Sequence, residues 1–458
     1  MVRTAGYLLL LLVLAAGPAR SAAPPPNFIF ILADDLGQRD LGCYGSRFFQ
    51  TPHLDRLAAQ GMKFTQAYAA CCVCSPTRAS IMTGKYPARL NLTDWLPGRR
   101  DMPSQKLLRP VILQHLPLEE VTIAEALKPA GYATASIGKW HLGLKGFEPK
   151  DQGFDVSVIT EPKFFPPYKA IGLDSQPEGE YLTDRLTSEA IRFIESNQNK
   201  PFFLYLPHNA VHIPLEAKTN LVAKYTSRHP AAGDPQTNVI YAAMMESLDE
   251  NVGRLLQKLD ELKLADRTVV VFFSDNGGLS VHEGPNTPST SNAPWRDGKG
   301  YLHEGGIREP LLVRWPGVVK PGSLCTTPVS SIDFFPTLLE IAGVKNDRPI
   351  DGLSLVSLLK GGTPPRRDAL FWHYPHYANQ GGRPSGAIRE GDFKLIEFYE
   401  DGRVELFNLA TDPGETTDLS GSMKARAVQL QARLDLWRRQ TQAQMPMPNP
   451  DYRGDSAP

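Results

Sequence analysis

Asn27-Phe28-Ile29-Phe30-Ile31-Leu32-Ala33-Asp34-Asp35 is an almost unbroken apolar run that stops on two carboxylates. Apolar residues on consecutive rather than alternate positions predict a strand covered on both faces. Thr268 to Phe273 has the same texture and is followed, after Ser274, by Asp275-Asn276-Gly277-Gly278. Tyr132 to Ile137, Pro201 to Leu206 and Leu311 to Trp315 are further strand candidates. Helical signals lie between them. Thr51-Pro52 opens a helix that closes at Gly61, and Thr122 with Glu125 has capping-box spacing for one ending by Gly131. Ser188 to Asn197 and Val239 to Leu262 read as amphipathic helices. This alternation predicts an α/β fold around a large, mostly parallel sheet with helices on both faces.

The texture changes near Pro364. Ala387 to Glu390, Phe393 to Tyr399 and Arg403 to Asn408 read as short strands broken at Glu390-Gly391 and Asp401-Gly402, and Lys424 to Gln440 as a final helix. The division expected is a main domain over 22–363 and a small α+β subdomain over 364–445. The polar, Pro-rich tail 446–458 is expected to lack order. At the other end, Arg3 precedes the apolar run Tyr7 to Ala16 and the small-residue pattern Ala19-Arg20-Ser21. Residues 1–21 are therefore expected to be a secretory signal peptide cut after Ser21. The run is short against the roughly 20 apolar residues of a spanning helix, so no membrane anchor is expected after cleavage. The destination would be secreted or periplasmic, or lysosomal or extracellular in a eukaryotic host.

Composition narrows the function. Lys and Arg number 49 against 49 Asp and Glu, with no long single-sign block, so no nucleic-acid partner is implied. Five cysteines leave at least one unpaired, and how Cys43, Cys71, Cys72 and Cys325 pair is open. The Cys71-Cys72-Val73-Cys74 run lacks the second Cys/His pair that a zinc knuckle requires.

Ligands of open parallel sheets sit beyond the carboxyl ends of strands. Asp34, Asp35, Asp275 and Asn276 stand at two such ends and offer only oxygen, which favours a hard ion such as calcium over zinc. Either pair alone is equally ordinary turn chemistry. In Cys74-Ser75-Pro76-Thr77-Arg78, Ser75 suits an N-cap, Pro76 the first helical position and Gly84 the stop. Cys74 would then lie at a helix N-terminus, where an anion is favoured and a thiol is acidic, with Arg78 one turn on. Three residues separate Cys74 from Arg78, where a cysteine phosphatase loop wants five. Lys139 and His141 follow one strand candidate, His208 and His212 another, and Lys299 lies between Gly298 and Gly300. Lysines suit an oxyanion and histidines suit proton transfer, although each alone reads equally well as a surface or structural residue.

Cys74-x-Pro-x-Arg followed by Thr83-Gly84-Lys85-Tyr86-Pro87, together with Gly138-Lys139-Trp140-His141, resembles the signature of type I sulfatases. The resemblance runs from Asn27 to Leu419 and points to the arylsulfatase A and N-acetylgalactosamine-6-sulfatase group. It implies an alkaline-phosphatase-like sandwich with a small C-terminal subdomain. It also implies conversion of Cys74 to formylglycine by a formylglycine-generating enzyme. One calcium would be held by Asp34, Asp35, Asp275, Asn276 and the modified Cys74, and Arg78, Lys139, His141, His212 and Lys299 would surround the sulfate. The substrate implied is a sulfated carbohydrate or aryl sulfate. Two positions depart from the pattern. No serine is placed after Gln152-Gly153-Phe154, and His53 stands where relatives usually carry Asn. Two other readings are a phosphodiesterase or phosphonate monoester hydrolase of the same superfamily, and a sulfoglycan-binding protein with a dead site. Ser280 to Trp295 and Phe371 to Ser385, rich in His, Tyr, Trp and Asn, are expected near the pocket mouth, and Asn91-Leu92-Thr93 is a glycosylation sequon.

Overall fold

The computed structural model describes residues 1–2 and 25–454. Apart from Met1 and Val2, the expected signal peptide and its cut after Ser21 lie outside the described residues. Asn27–Ala33 forms β1, and every one of its residues is buried. Phe28, Phe30 and Leu32 point into one hydrophobic cluster, and Ile29, Ile31 and Ala33 into another. That two-faced burial is the physical reason for the unbroken apolar run.

Around β1 lie β2 (Met62–Tyr68), β3 (Ala133–Gly138), β4 (Val156–Thr160), β5 (Phe202–Pro207), β6 (Thr268–Ser274) and β7 (Arg308–Arg314). They belong to a ten-stranded sheet in which the spatial order of these seven is β2-β7-β6-β1-β5-β3-β4. β1 is parallel to β5 and β6, and β3 is parallel to β4 and β5. β7 runs antiparallel to both β2 and β6, so the sheet is mixed but mostly parallel, as expected. Ala33 pairs with Ser274, so the next residues of both strands leave the sheet side by side. This register brings Asp34-Asp35 beside Asp275-Asn276.

One face is covered by Val239–Glu261, which buries Tyr241, Met244, Leu248, Val252, Leu255 and Leu259 and packs on Leu182–Ser196 and Pro52–Gln60. The Asn238 side chain caps its start, accepting the Ile240 and Tyr241 N–H groups. Leu182–Ser196 begins six residues before the expected Ser188, because Leu182 and Leu186 are buried. Its N-cap Tyr181 makes no side-chain capping bond, so the sequence carries no start signal there. The other face carries Cys74–Thr83, Ile123–Leu127 and Phe334–Ala342.

The C-terminal part is a four-stranded antiparallel sheet of Leu370–Tyr374, Ser385–Glu390, Phe393–Phe398 and Val404–Asn408, with the helix Lys424–Thr441 against it. The first strand was not expected. It takes residues assigned to the pocket mouth and turns them inward: Trp372 and Tyr374 are buried, and Phe371 stacks on Trp437 at 4.9 Å. The described part of the tail, 446–454, also differs from expectation. Met447 and Pro448 pair with Leu108 and Leu107, and Asn449 Nδ2 donates to Gln105 O at 2.8 Å. Backbone pairing, which composition does not report, ties it down. All five cysteines are unpaired. No helix among the described residues is long and apolar enough to cross a membrane.

His373 makes stability depend on pH. Its Nε2–H donates to Gln444 O at 3.0 Å, so Nδ1 accepts from the Tyr399 hydroxyl at 2.7 Å, and burial pushes its pKa down to about 4. The folded pKa lies below the unfolded value of 6.5. This contribution is therefore complete above pH 6.5 and is lost as pH falls toward 4, up to about 3 kcal/mol for one histidine. Denaturant unfolding across that range should show falling stability in wild type and a shallower fall in His373→Gln.

Candidate active site

Six segments converge at the carboxyl end of the sheet. Asp34 and Asp35 continue β1, with Asp35 in the left-handed region at φ 59°. Asp275 N–H donates to Ala33 O at 3.2 Å, and Asp35 N–H to Asp275 Oδ1 at 3.2 Å, locking the two strand ends together. The Asp34 backbone also exchanges hydrogen bonds with Ala210 and Val211, which fixes the loop carrying His212. Lys139 follows Gly138, and its N–H reaches Pro207 O at 2.8 Å. Lys299 is set by its own N–H on Gly278 O at 3.2 Å and by Gly300 N–H on Cys72 O at 2.9 Å.

Cys74 is the first residue of the helix Cys74–Thr83. Val73 is the N-cap, so Ser75 and Pro76 fall inside the first turn instead of opening it. Gly84 ends the helix in the left-handed conformation, as expected. The Cys74 Sγ lies 3.5 Å from Asp34 Oδ1, 3.9 Å from Asp35 Oδ1 and 3.5 Å from Lys139 Nζ. Arg78 Nε and Nη2 donate to Asp275 Oδ2 at 2.9 and 2.6 Å, Nη1 donates to Lys139 O, and Nη2 lies 3.5 Å from Asp34 Oδ1. Lys139 Nζ reaches Asp34 Oδ2 at 2.7 Å, and Lys299 Nζ reaches Asp35 Oδ2 at 2.6 Å.

The histidines have defined tautomers. His212 Nδ1 faces the carbonyl of Ile213, which can only accept. Its Nε2 is therefore the acceptor, 3.1 Å from Lys299 Nζ. His141 Nε2 donates to Leu96 O at 2.7 Å, which leaves Nδ1 as the lone-pair nitrogen; it is buried and has no partner among the described residues. Burial, then Lys299, pushes His212 down to about 4, and burial, then Lys139, holds His141 well below the usual range. His208 also follows β5 but stays outside the cluster, buried and shifted down to about 4 by burial.

Burial opposes every charge here, and the partners decide the outcome. It raises Asp34, but Lys139, His212 and Arg78 outweigh it and hold the carboxyl far below the usual range. Burial and the neighbouring Asp34 push Asp275 up to about 7. Burial lowers the Lys139 and Lys299 ammoniums, yet Asp34 and Asp35 hold them charged. Cys74 goes opposite to expectation. Burial pushes its thiol well above the usual value, Asp275 and Asp34 add to this, and the lysines do not offset it. The helix N-terminus alone does not make this cysteine a thiolate.

The residues fit a hard cation. One ligand atom each from Asp34, Asp35, Cys74 and His212 lies within 4.8 Å of the others. Asn276 Nδ2 donates to Asp35 Oδ1 at 2.8 Å, leaving Asn276 Oδ1 buried and without a partner among the described residues. A free amide oxygen beside buried carboxylates adds to the oxygen donors that a hard cation prefers.

The family model described as Sulfatase matches residues 26–344. This chain belongs to the sulfatase family. The sulfatase is a sulfuric ester hydrolase, and a second model, N-sulphoglucosamine sulphohydrolase, C-terminal, matches its residues 293–442. It is 35% identical to a sulfatase of Formosa agariphila, over 90% of this chain and 88% of that one. Human arylsulfatase A is 34% identical over 90% and 87% of the two chains. Dog N-acetylgalactosamine-6-sulfatase is 35% identical over 80% and 72%. The solved complex of Ps i-CgsB with k-i-k-neocarrahexaose superposes with TM-score 0.78 at 30% identity, covering 90% of this chain and 92% of that one. The fold is the alkaline-phosphatase-like one expected.

Sequence reasoning missed the Leu96 carbonyl, since a backbone acceptor has no side-chain signature. It also missed why Gly138 precedes Lys139. Gly138 has φ 133°, and a Cβ there would lie 1.9 Å from Pro207 O. Gly138→Ala in the sulfatase is expected to cost about 1–3 kcal/mol. By displacing Lys139 it should lower kcat roughly 100-fold, read from unfolding curves and sulfate-release kinetics.

Proposed function

We propose that this sulfatase is an exported enzyme that hydrolyses the sulfate ester of a sulfated carbohydrate, using a formylglycine at Cys74 and one bound calcium. The observation that carries this is the state of Cys74. It sits among Asp34, Asp35 and Lys139, yet its thiol is buried and held protonated, which suits a residue that must be modified before it reacts. The ligands proposed for the calcium are Asp34, Asp35, Asp275, Asn276 and modified Cys74. Charge supports it too. Asp34, Asp35 and Asp275 are balanced by Arg78, Lys139 and Lys299, so a divalent cation leaves the pocket positive and receptive to sulfate. Calcium, when bound, supplies Lewis-acid polarisation and lowers the pKa of an oxygen it holds.

The aldehyde at residue 74 hydrates to a geminal diol. One hydroxyl oxygen attacks sulfur, the S–O bond to the sugar breaks, and the pair in that bond leaves with the sugar oxygen. The Lys299 ammonium supplies the proton to that oxygen, oriented by the His212 Nε2 lone pair 3.1 Å away. Asp275, beside Cys74 at the end of β6, takes the attacking hydroxyl's proton. Lys139 and Lys299 stabilise charge on the sulfate oxygens, and Arg78 positions the attacking hydroxyl. His141 Nδ1 then removes the second hydroxyl's proton, the C=O bond re-forms and sulfate departs. A formylglycine-generating enzyme is the maturation partner. The Tyr7 to Ala16 run and the small residues after it support export. The 22–363 segment carries the chemistry, with 364–445 as its subdomain.

The carbohydrate assignment draws on the relatives: N-acetylgalactosamine-6-sulfatase, the neocarrahexaose complex, and BT4656, solved with D-glucosamine-2-N,6-O-disulfate at TM-score 0.70 and 25% identity. The phosphorus-ester alternative shares the fold alone, through a phosphonate monoester hydrolase at TM-score 0.63 and 21% identity. The test is anion release, by ion chromatography, from sulfated oligosaccharides, a phosphodiester and a phosphonate monoester. Sulfate should be released fastest, and a calcium chelator should stop it. Faster cleavage of either phosphorus ester would overturn the assignment.

A further inference from the structure

We infer that Asp94, held by Tyr374 of the C-terminal sheet, is a positioning residue that fixes the tautomer and aim of His141; this rests on the formylglycine mechanism above. The His141 backbone lies in the left-handed region at φ 55°, a conformation that surrounding contacts must enforce. Its ring is held through Nε2–H on Leu96 O at 2.7 Å. Leu96 is in turn held by Ser75 Oγ, which accepts its N–H at 3.2 Å. Whatever places Leu96 therefore decides which His141 nitrogen keeps a lone pair and where it points.

Leu96 belongs to a turn organised by the fully buried Asp94. Asp94 Oδ1 accepts the Trp95 N–H at 2.9 Å and the Tyr374 hydroxyl at 3.1 Å. Next to it, Thr93 Oγ1 pairs with His376 Nε2 at 2.9 Å. Asp94 Oδ2 and His376 Nδ1 face each other at 3.8 Å, and neither has a hydrogen-bond partner among the described residues. Both anchors of the turn, Tyr374 and His376, come from the C-terminal part of the chain. A path of direct contacts thus runs from Tyr374 through Asp94, the 94–96 turn and Leu96 O to His141. Asp94 touches none of the residues around Cys74 in this path, so it acts through His141.

The role makes a kinetic prediction that mere structural support does not. His141 acts only after the sugar has left, when the second hydroxyl's proton goes to Nδ1 and sulfate is expelled. A displaced His141 should therefore slow the second step while sparing the first. The test uses full-length, aldehyde-bearing Tyr374→Phe and Asp94→Ala, with His141→Ala as reference, reacted with an aryl sulfate and quenched early. In both variants kcat should fall roughly 10- to 100-fold while the phenol burst stays near wild type. The residue-74 peptide should accumulate as its sulfate ester, as in His141→Ala. A folded Tyr374→Phe protein with a normal aldehyde, wild-type kcat and no accumulated ester would overturn the inference. So would an equal loss of burst and kcat. If Asp94→Ala does not fold, Tyr374→Phe decides. Absence of the aldehyde from wild type, seen in the same mass spectrum, would instead defeat the underlying mechanism.

Discussion

Cys74→Ser should leave the fold intact and reduce steady-state turnover of any sulfate ester by at least ~10⁴-fold. The serine hydroxyl occupies the place of Sγ, within reach of Asp34 and Lys139. It can accept a sulfuryl group once. It has no second hydroxyl from which a base can take a proton, so no C=O bond can form to expel the sulfate. The variant is therefore expected to release at most one equivalent of alcohol per site and then stop, with the sulfate ester visible on the residue-74 peptide. Sustained turnover by Cys74→Ser would mean that water, rather than an internal elimination, clears the enzyme. Stability should change little, because the exchange replaces one small buried group with another that Asp34 can still accept from.

Arg78→Met should be the most destabilising single change in the site. The guanidinium is fully buried and bonds Asp275 through Nε and Nη2 and the Lys139 carbonyl through Nη1. Removing it leaves Asp275 and Asp34 facing each other with one cation fewer, in a place water does not reach. Breaking a buried pair from one side costs about 3–5 kcal/mol. Denaturant unfolding should show that loss. The double variant Arg78→Met with Asp275→Asn should recover part of the stability, because the stranded charge is gone, but none of the activity. Arg78→Lys should not restore turnover, since an ammonium cannot reproduce the guanidinium's fork on Asp275 and the Lys139 carbonyl together. A single variant as stable as wild type would contradict the charge balance described for the pocket.

Much of this architecture was legible in the chain because one physical cause wrote both pattern and fold. β1 reads as an unbroken apolar run because alternate residues enter two different clusters. Two such strands pair in parallel register, so the oxygen-bearing residues after each come together. Met62–Tyr68 was not recognised, because Lys63, Thr65 and Gln66 interrupt it on a half-exposed face. Leu370–Tyr374 was hidden by its aromatic residues, which resemble a sugar-binding rim in composition but pack inward. The helix start at Cys74 was misplaced by two residues, since Val73 caps without a polar side chain. The direction of the Cys74 shift was also illegible. A helix N-terminus favours the thiolate, but complete burial beside two carboxylates is a tertiary fact and it wins. The orientation of His141 likewise depends on a backbone carbonyl brought from another segment.

The most direct measurement is the mass of the peptide containing residue 74, taken from protein made with a formylglycine-generating enzyme. The mechanism predicts an aldehyde, CHO in place of CH₂SH, with Arg78 in the same peptide unchanged. An intact thiol in protein that nevertheless releases sulfate at full rate would contradict it.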